Sequence, residues 1–479
     1  MTPTAEQLAI LEAATETDDN LIISALAGAA KTTTLVLIAE ALAGREMLCL
    51  AFNKRIAEEM NARLPRNCTA KTLNGLGHKA WSDTLGRFCK LNTSKNFEIM
   101  KEIIEKELSA DDRREVYESF GELLRMVSEG KSSGYIPDGH FPNGRALLND
   151  EDFRNSLDEN ITDLQWWLVK ETSARSMALA WKGQVDFDDQ LLMPTVFQAI
   201  FPRYPVVMID EAQDLSALNH AMLRKIARKR LIAVGDECQA IYGFRGAHAN
   251  SMAELQKTFE MRKLILSISF RCPKRVVEHA QWRAPHMKYP EWAKPGKVTH
   301  LKEWSVDDLP ETGAIICRNN APIFNIAIKL LKNGRYPQIV GADIGKQLIK
   351  IMKRFGSGSM SQAAAREALA SWVEMKKAKS KDPAKIDDQA ECISIFLAQG
   401  ATLGDAIAYA EHILNTRGPI QLMTGHKSKG LEFEDVFILD RHLVRTDKAE
   451  QERNLLYVMQ TRAKNSLTYI ETEGFIDAT

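Results

Sequence analysis

A run of small residues near the start of the chain ends in a lysine and a threonine. Ala25–Thr32 follow an apolar stretch, precede a helical pattern, and match an eight-residue phosphate-binding loop at Gly28, Lys31 and Thr32. Such a loop wraps backbone N–H groups around phosphate oxygens at a helix N-terminus, where the helix dipole favours negative charge. We expect Lys31 to neutralise the β- and γ-phosphates of a nucleotide and the Thr32 hydroxyl to bind Mg²⁺.

Two positions of this loop lack a glycine that is common there. The residue before the lysine is Ala30, and the first position is Ala25. Both alanines are compatible with the loop if φ stays negative, because a Cβ is penalised strongly only where φ is positive. The alternative interpretation is a turn of small residues that binds nothing.

Two adjacent carboxylates follow a second apolar stretch. Val206–Ile209 lead directly into Asp210 and Glu211, and open α/β sheets bind ligands at the C-terminal ends of their strands. We expect Asp210 to hold Mg²⁺ through its water shell and Glu211 to polarise the attacking water. In the alternative, Asp210 caps the next helix and Glu211 is solvated.

Further polar and aromatic residues follow a third apolar stretch, Leu231–Val234. The amide of Gln239 is suited to sensing a γ-phosphate. Tyr242 and Phe244 are suited to stacking on the bases of a single strand, because stacking needs only a π-face. Core positions are the alternative for both aromatics.

Two arginines and a polar loop stand out in the rest of the chain. Arg271 and Arg462 each lie close to an apolar stretch, and an arginine that reaches a γ-phosphate from a second domain couples domain closure to hydrolysis. Between them a polar loop carries Thr424, His426 and Lys427. Such a loop is suited to contacting phosphodiesters, whereas a salt bridge or a cap is the alternative for each residue alone.

Short apolar runs recur along the chain and indicate the elements that position these residues. Rich in Val, Ile and Leu, they are typical of strands covered on both faces, and several precede helical patterns. The alternation predicts an α/β fold built on parallel sheets. The predicted strands are Leu21–Ser24, Met47–Phe52, Val206–Ile209, Leu231–Val234, Leu264–Ile268, Ala314–Cys317, Ile420–Thr424, Val436–Leu439 and Leu467–Ile470.

The domain organisation follows from the length and from two stretches without strand signals. A chain of 479 residues suggests about three structural units. Residues 90–185 and 345–415 have helical patterns alone, and we interpret both as helical insertions. The first domain then comprises residues 1–89 and 186–275, and the second comprises residues 276–344 and 416–479.

Composition excludes several classes of protein. Lys+Arg and Asp+Glu both number 63, which excludes a globally basic nucleic-acid coat protein but leaves room for a local basic groove. No apolar run approaches the roughly 20 residues that span a bilayer, so we expect no membrane association. The seven cysteines are odd in number and lack a Cys-x-x-Cys pair, which favours a reducing compartment. We expect a cytoplasmic protein.

The order of these segments resembles the motif series of superfamily 1 helicases of the UvrD/Rep/PcrA-like branch. The resemblance covers almost the whole chain apart from the two insertions. The matching segments are Thr4–Gln7, Ala25–Thr32, Ala51–Lys54, Lys71–Asn74, Asp186–Asp189, Asp210–Asp214, Gly235–Ala247, Ser269–Cys272, Cys317–Asn320, Thr424–Phe433 and Leu456–Ala463.

The resemblance implies two RecA-like domains with ATP and Mg²⁺ in the cleft between them. It places Gln7 and Phe270 at the adenine and Glu432 near the ribose and phosphates. The implied catalytic residues are Lys31, Asp210, Glu211, Gln239, Arg271 and Arg462, with Thr32 and Asp210 at the metal. The remaining implied ATP contacts are Ala27, Gly28, Ala29, Ala30 and Thr33. The implied DNA contacts are Phe52, Asn53, Lys54, Thr72, Asn74, Tyr242, Phe244, Arg245, Thr424, His426 and Lys427.

The activity implied by the resemblance is that of an ATP-dependent translocase on single-stranded DNA and a 3′→5′ DNA helicase. We expect a monomer that acts on single strands and on duplex/single-strand junctions. An ATP-dependent switch that displaces DNA-bound proteins without processive unwinding is the first alternative, and an RNA-directed ATPase is the second. Three departures from the family pattern stand out: Leu26 and Ala30 replace glycines, Asn74 replaces a histidine, and the second insertion is short.

Overall fold

The computed structural model describes residues 2–51, 53–157, 161–241, 250–341, 343–378 and 383–476. The chain forms two compact units, residues 1–25 with 30–266 and residues 26–29 with 267–479. Each unit is built on a six-stranded sheet that is parallel throughout and flanked by helices. The predicted α/β class with parallel sheets is therefore confirmed.

The sheet of the first unit has the strand order β3-β2-β6-β7-β1-β8. Its inner strands β1, β2, β6 and β7 are mostly buried on both faces, as expected for near-continuous apolar runs in a parallel sheet. The strands of this unit are β1 Leu21–Ala25, β2 Met47–Ala51, β3 Cys68–Thr72, β4 Lys90–Leu91, β5 Gln184–Val185, β6 Tyr204–Ile209, β7 Ala227–Gly235 and β8 Arg262–Leu266.

Most of the described helices of the first unit begin at a side-chain cap. Thr4 accepts a hydrogen bond from the backbone N–H of Gln7, whose side chain accepts one from the N–H of Thr4, and such a capping box satisfies two N–H groups that a helix leaves free. The helices are α1 Ala5–Glu16, α2 Lys31–Ala41, α3 Lys54–Asn61, α4 Leu73–Leu85, α5 Lys95–Glu107, α6 Ala110–Ser133, α7 Asp150–Ser156, α8 Asp163–Trp181, α9 Asp189–Val196, α10 Ala217–Ile226 and α11 Ser251–Thr258.

Helices α5 to α8 pack around a hydrophobic core of their own, which includes Met100, Ile103, Val127 and Leu168. The sequence predicted that residues 90–185 are purely helical, but the structure shows that they also contain two short strands. The two-residue strands β4 and β5 lie at the ends of this stretch and pair in parallel. Strands this short carry no apolar run and give no signal in the sequence.

The second unit repeats the architecture with the strand order β11-β12-β10-β13-β14-β9. Its strands are β9 Lys297–His300, β10 Gly313–Cys317, β11 Pro337–Ile339, β12 Ile420–Thr424, β13 Phe433–Leu439 and β14 Ala463–Ile470. Its helices are α12 Lys274–Ala280, α13 Asn320–Lys332, α14 Asp343–Met352, α15 Gln362–Lys377, α16 Pro383–Leu397, α17 Leu403–Asn415, α18 Gly425–Ser428 and α19 Glu450–Gln460.

Helices α14 to α17 share one hydrophobic core with the second sheet. Phe396 on α16 packs edge-to-face against Phe324 on α13, with ring centroids 4.9 Å apart, and both are fully buried. These helices therefore extend the second unit rather than forming a separate domain. Within the described residues, no helix combines the length and the apolar character needed to cross a membrane.

Candidate nucleotide site and nucleic-acid contacts

Three neighbouring strands of the first sheet end beside the same group of charged residues. The strands β6, β7 and β1 are adjacent and parallel, so their C-terminal ends meet at one edge. Asp210 follows β6, Asp236 follows β7, and Lys31 opens the helix after β1. This edge is where open parallel sheets bind ligands.

Lys31 and Thr32 lie against the two adjacent carboxylates that follow β6. The Lys31 Nζ is 3.5 Å from Glu211 Oε1, and the Thr32 hydroxyl donates to Asp210 Oδ2 at 3.1 Å. Burial, with the nearby charge of Glu211, raises the pKa of Asp210 to about 6, although Lys31 and Thr32 oppose the rise. A carboxylate and a hydroxyl oxygen side by side next to a lysine fit Mg²⁺ and a nucleotide phosphate.

A chain of hydrogen bonds links Glu211 to Gln239. The Gln213 amide donates to Glu211, and its Oε1 accepts the backbone N–H of Asp236 at 3.0 Å. The Gln239 amide donates to Asp236 Oδ2 at 2.6 Å. Asp236 is fully buried, and burial raises its pKa, a rise that Lys31 opposes. A change at Glu211 can therefore reach Gln239 through two residues, the side chain of Gln213 and both the backbone N–H and the carboxylate of Asp236.

Sequence reasoning assigned no role to Gln213 or Asp236. The signal was present, because Gln213 lies in the segment Asp210–Asp214 and Asp236 directly follows a strand. Only the fold shows that their side chains join the two parts of the site.

The backbone of the phosphate loop does not meet the condition that the sequence analysis set for an alanine at position 30. The φ of Ala30 is 56°, in the left-handed region, whereas an alanine is free of a steric penalty there only if φ is negative. A left-handed conformation costs an L-residue with a Cβ roughly 1–2 kcal/mol. Gly28, with φ 74°, has no such cost. The loop is therefore strained at Ala30.

Replacing Ala30 with glycine is expected to stabilise the first unit by about 0.5–1 kcal/mol, because the strain outweighs the extra freedom that glycine gives the unfolded chain. The matched control is Ala29→Gly, since Ala29 is buried beside it and is not in the left-handed region. That control is expected to lower the free energy of unfolding by a similar amount. Urea unfolding of both variants measures the difference, and equal effects would contradict the strain at Ala30.

Gln7 and Thr33 already have partners inside the first unit. The Gln7 amide donates to the Thr34 hydroxyl at 3.1 Å, in addition to its bond in the helix cap, and the side chain is 5 % exposed. The Thr33 hydroxyl accepts from Arg63 at 3.2 Å. The bond to Thr34 uses one of the two N–H donors of the Gln7 amide.

The candidate arginines of the second unit differ in accessibility. Arg271 Nε donates to Glu432 Oε2 at 2.7 Å, and its side chain is 22 % exposed. Arg462 is buried, and its guanidinium donates to the carbonyls of Val458 and Leu431. Arg271 therefore needs to exchange one salt bridge to meet a phosphate, whereas Arg462 needs a larger rearrangement.

Phe270 is half-buried and stacks on an exposed tryptophan. Its ring centroid is 6.2 Å from that of Trp292, with an angle of 28° between the planes, and Trp292 is 67 % exposed. The family resemblance implied an adenine-stacking role for Phe270, whereas nothing in the sequence singled out Trp292. An exposed tryptophan has no periodic signal that separates it from ordinary surface residues.

The DNA contacts expected in the first unit have structural partners where they are described. Asn53 and Thr72 cap helices α3 and α4, and Lys54 lies 3.7 Å from Glu58 on the exposed face of α3. The Asn74 amide donates to the carbonyl of Phe187 at 2.8 Å. The remaining expected contacts lie outside the described residues: Phe52, Tyr242, Phe244 and Arg245.

The DNA contacts expected in the second unit meet at one cavity. Thr424, His426 and Lys427 line a space of about 240 Å³, which lies beside the C-terminal ends of the adjacent strands β10, β11 and β12. Arg318 also lines this cavity and forms a salt bridge with Glu452 at 2.9 Å. The structure therefore places the second sheet's polar loop where a ligand can enter.

One further group of candidate metal ligands occurs among the described residues, namely Asp440, His442 and Glu471. The Asp440 carboxylate accepts from both the backbone N–H and the hydroxyl of Thr472, and His442 contacts Glu471 at 3.0 Å. These bonds explain the cluster as a link between β13 and the end of the chain. Nothing else there indicates a metal.

The sheet, the loop after β1 and the paired Asp210 and Glu211 are the parts of a RecA-like unit with a candidate nucleotide site. The family model for the UvrD/REP helicase N-terminal domain matches residues 5–260, which is more than half of the chain. The model for the UvrD-like helicase C-terminal domain matches residues 419–469. The chain therefore belongs to the UvrD/Rep helicase family, as the resemblance predicted.

Curated relatives are distant in sequence and longer than this chain. It is 24 % identical to an F-box DNA helicase protein 1 of Schizosaccharomyces pombe, over 98 % of this chain and 57 % of the relative. It is 24 % identical to an ATP-dependent DNA helicase PcrA of Leuconostoc citreum, over 69 % and 49 %. A chicken F-box DNA helicase 1 is 25 % identical, over 97 % and 48 %. The chain spans about half the length of these relatives.

Proposed function

We propose that the protein is an ATP-driven translocase on single-stranded DNA and a DNA helicase that moves 3′→5′. The observation that carries the proposal is the connected set of side chains at the end of the first sheet. Lys31 contacts Glu211, and Gln213 and Asp236 link Glu211 to Gln239. Membership of the UvrD/Rep helicase family and the names of the relatives support the same function.

The proposed roles follow from the chemistry of each group. Lys31 binds phosphate oxygens, and Glu211 orients the attacking water and accepts its proton. Gln239 reports the state of the phosphate to the segment that follows it, where Tyr242 and Phe244 are proposed to stack on bases. Arg271 and Arg462 are proposed to stabilise charge on the γ-phosphate.

Mg²⁺ is proposed to bind between the Thr32 hydroxyl and the Asp210 carboxylate. The distance from Thr32 Oγ1 to Asp210 Oδ2 is 3.1 Å. When bound there, the ion would neutralise charge on the phosphates. The chain's own contribution is to hold both oxygens at a buried strand end, next to the ammonium of Lys31.

Replacing Glu211 with glutamine is expected to lower ATP hydrolysis by about 10²–10⁴-fold, because the amide keeps the size but cannot accept the proton of water. Nucleotide affinity should be retained, since Lys31 is unchanged. The matched control is Glu260→Gln, because Glu260 is an exposed glutamate that shares the left-handed backbone of Glu211, with φ 49° against 56°. Single-turnover hydrolysis at wild-type rate in Glu211→Gln would contradict the role.

The proposed function is tested by ATP hydrolysis with single-stranded DNA, with RNA and without polynucleotide, followed by unwinding of duplexes that carry a 3′ or a 5′ tail. We expect stimulation by DNA and unwinding of the 3′-tailed duplex alone. Stimulation by RNA alone would support the RNA-directed ATPase instead. Stimulation by DNA without unwinding of either duplex would support the protein-displacing switch.

The expected monomeric state, the preference for junctions and the cytoplasmic location stay predictions. The oligomeric state is measurable by sedimentation at the concentrations used for hydrolysis. Preference for a junction is measurable by comparing affinities for a tailed duplex and for its single strand.

A further inference from the structure

The first unit contains a cavity at the opposite end of its strands from the candidate nucleotide site. The cavity has a volume of about 520 Å³ and is lined by the end of α9, the segment that leads into β6, part of α10 and residues near Arg145. It lies at the start of β6, whereas Asp210 follows the end of that strand. A strand of this length spans about 20 Å. We call this space the basal cavity.

The basal cavity is positively charged. Its lining includes Arg145, Arg203 and Lys225, and none of the described residues that line it carries a carboxylate. Arg145 and Arg203 are exposed and form no ion pair within the part of the chain that the structure describes.

The Lys225 ammonium donates to the carbonyl of Thr195. Burial lowers the pKa of Lys225, and the nearby charge of Arg145 lowers it further. Like charges held together without a counter-charge are unfavourable until an anion binds.

The basal cavity also presents apolar and unsatisfied polar groups. Ile200 is 88 % exposed and Leu147 is 41 % exposed, and both line the space. The Thr195 hydroxyl is buried there without a hydrogen-bond partner. Gln198, at the same rim, has a left-handed φ of 56°, and such strain in a residue other than glycine tends to occur at functional sites.

The walls of the basal cavity are fixed by the fold. The backbone N–H of Arg145 donates to the carbonyl of Val196 at the end of α9, at 2.9 Å, so the segment that carries Arg145 is tied to the helix that carries Thr195. Lys225, on α10, is tied to the same helix through the Thr195 carbonyl. Arg145 and Lys225 therefore belong to elements that are both joined to α9, and a ligand would meet a preformed wall there.

We propose that the basal cavity binds an acidic peptide segment of a partner protein, with an apolar side chain inserted among Ile200 and Leu147. The three cations match carboxylates of the peptide, and the exposed aliphatic side chains match its apolar anchor. A single strand of nucleic acid fits less well, because the lining offers no exposed aromatic ring for base stacking. The site lies away from the proposed ATPase residues, so the inference does not depend on the proposed function.

The test uses a fluorescent ten-residue peptide in which Leu-Phe is flanked on each side by four acidic residues. We expect the full chain to bind it at low salt with a Kd on the order of 10–100 µM. The double variant Arg145→Glu/Arg203→Glu should weaken binding by about tenfold or more. The control Arg114→Glu, an exposed arginine on α6, should bind as the wild type does. A peptide with Ser-Ser in place of Leu-Phe should bind more weakly by about tenfold.

Three results would overturn the proposal. One is a Kd above about 1 mM for the acidic peptide. Another is equal binding of the Leu-Phe and Ser-Ser peptides, which would show general attraction of negative charge. The third is loss of oligonucleotide binding in the double variant without binding of the peptide, which would assign the cavity to nucleic acid. ATP hydrolysis without polynucleotide should be unchanged in the double variant, which separates this test from that of the proposed function.

Discussion

Replacing Lys31 with alanine is expected to lower ATP hydrolysis by at least about 10²-fold. The Lys31 ammonium lies 3.5 Å from Glu211, and its charge opposes the effect of burial on the pKa of both Asp210 and Asp236. Without it, Asp210, Glu211 and Asp236 lose the nearby ammonium that would attract a phosphate. Nucleotide affinity should fall together with the rate, whereas Glu211→Gln should lower the rate alone.

DNA binding should be largely retained in Lys31→Ala, because the residues proposed to contact DNA are different ones. The matched control is Lys101→Ala, which removes a half-exposed lysine from a helix of the same unit and should leave hydrolysis unchanged. Steady-state hydrolysis with saturating single-stranded DNA measures both variants. Full turnover in Lys31→Ala would refute the assignment of the phosphate loop.

Replacing Lys131 with methionine is expected to destabilise the first unit by about 3–5 kcal/mol, the cost of breaking a buried ion pair. The Lys131 side chain has no exposed area, and its Nζ lies 2.6 Å from Asp186 and 2.8 Å from Asp189. Burial favours its neutral form, but the two carboxylates outweigh that effect and raise the pKa of Lys131. Its loss leaves both carboxylates with Lys95 as their one remaining buried lysine.

The matched control for this prediction is Lys79→Met, which removes one partner of an exposed pair with Asp83 and should cost less than about 1 kcal/mol. Urea unfolding measures both variants. Asp186→Asn serves as a milder variant of the same cluster if Lys131→Met does not fold. A loss below 1 kcal/mol in both cluster variants would show that Asp186 and Asp189 do not depend on the buried lysine.

This buried cluster also explains why the Asp186–Asp189 segment matters for the fold. Lys131 on α6 and Lys95 on α5 belong to the helical stretch. Asp186 and Asp189 lie directly after β5, where the chain leaves that stretch and leads into α9 and β6. The cluster therefore fixes the helices to the sheet-bearing part of the unit. The sequence showed the acidic segment but could not show its partners, which are 55 to 94 residues away in the chain.

Strand prediction from apolar runs succeeded in the interior of the sheets and failed at their edges. Inner strands such as β1 and β10 are buried on both faces and appear as continuous apolar runs. The missed strands β3, β9 and β11 are all edge strands. The edge strands β3 and β9 contain exposed polar residues, so neither contains a run of Val, Ile and Leu. Strand β8, also at an edge, begins at Arg262, two residues before the predicted start.

The sequence predicted those residues of the candidate site that belong to short, recognisable motifs. Lys31, Thr32, Asp210 and Glu211 come together as the motifs indicated. The sequence could not show that Ala30 is left-handed, because that conformation depends on how the loop joins the helix. Nor could it show that Arg462 is buried against backbone carbonyls, which depends on the packing of distant segments.

The proposed function requires that ATP hydrolysis move this protein along single-stranded DNA in one direction. Displacement of streptavidin from biotinylated oligonucleotides tests it most directly, with biotin at either the 5′ or the 3′ end. We predict ATP-dependent acceleration of displacement from the 5′ end alone, and none in Lys31→Ala. ATP hydrolysis that DNA stimulates, without acceleration of displacement from either end, would contradict the claim.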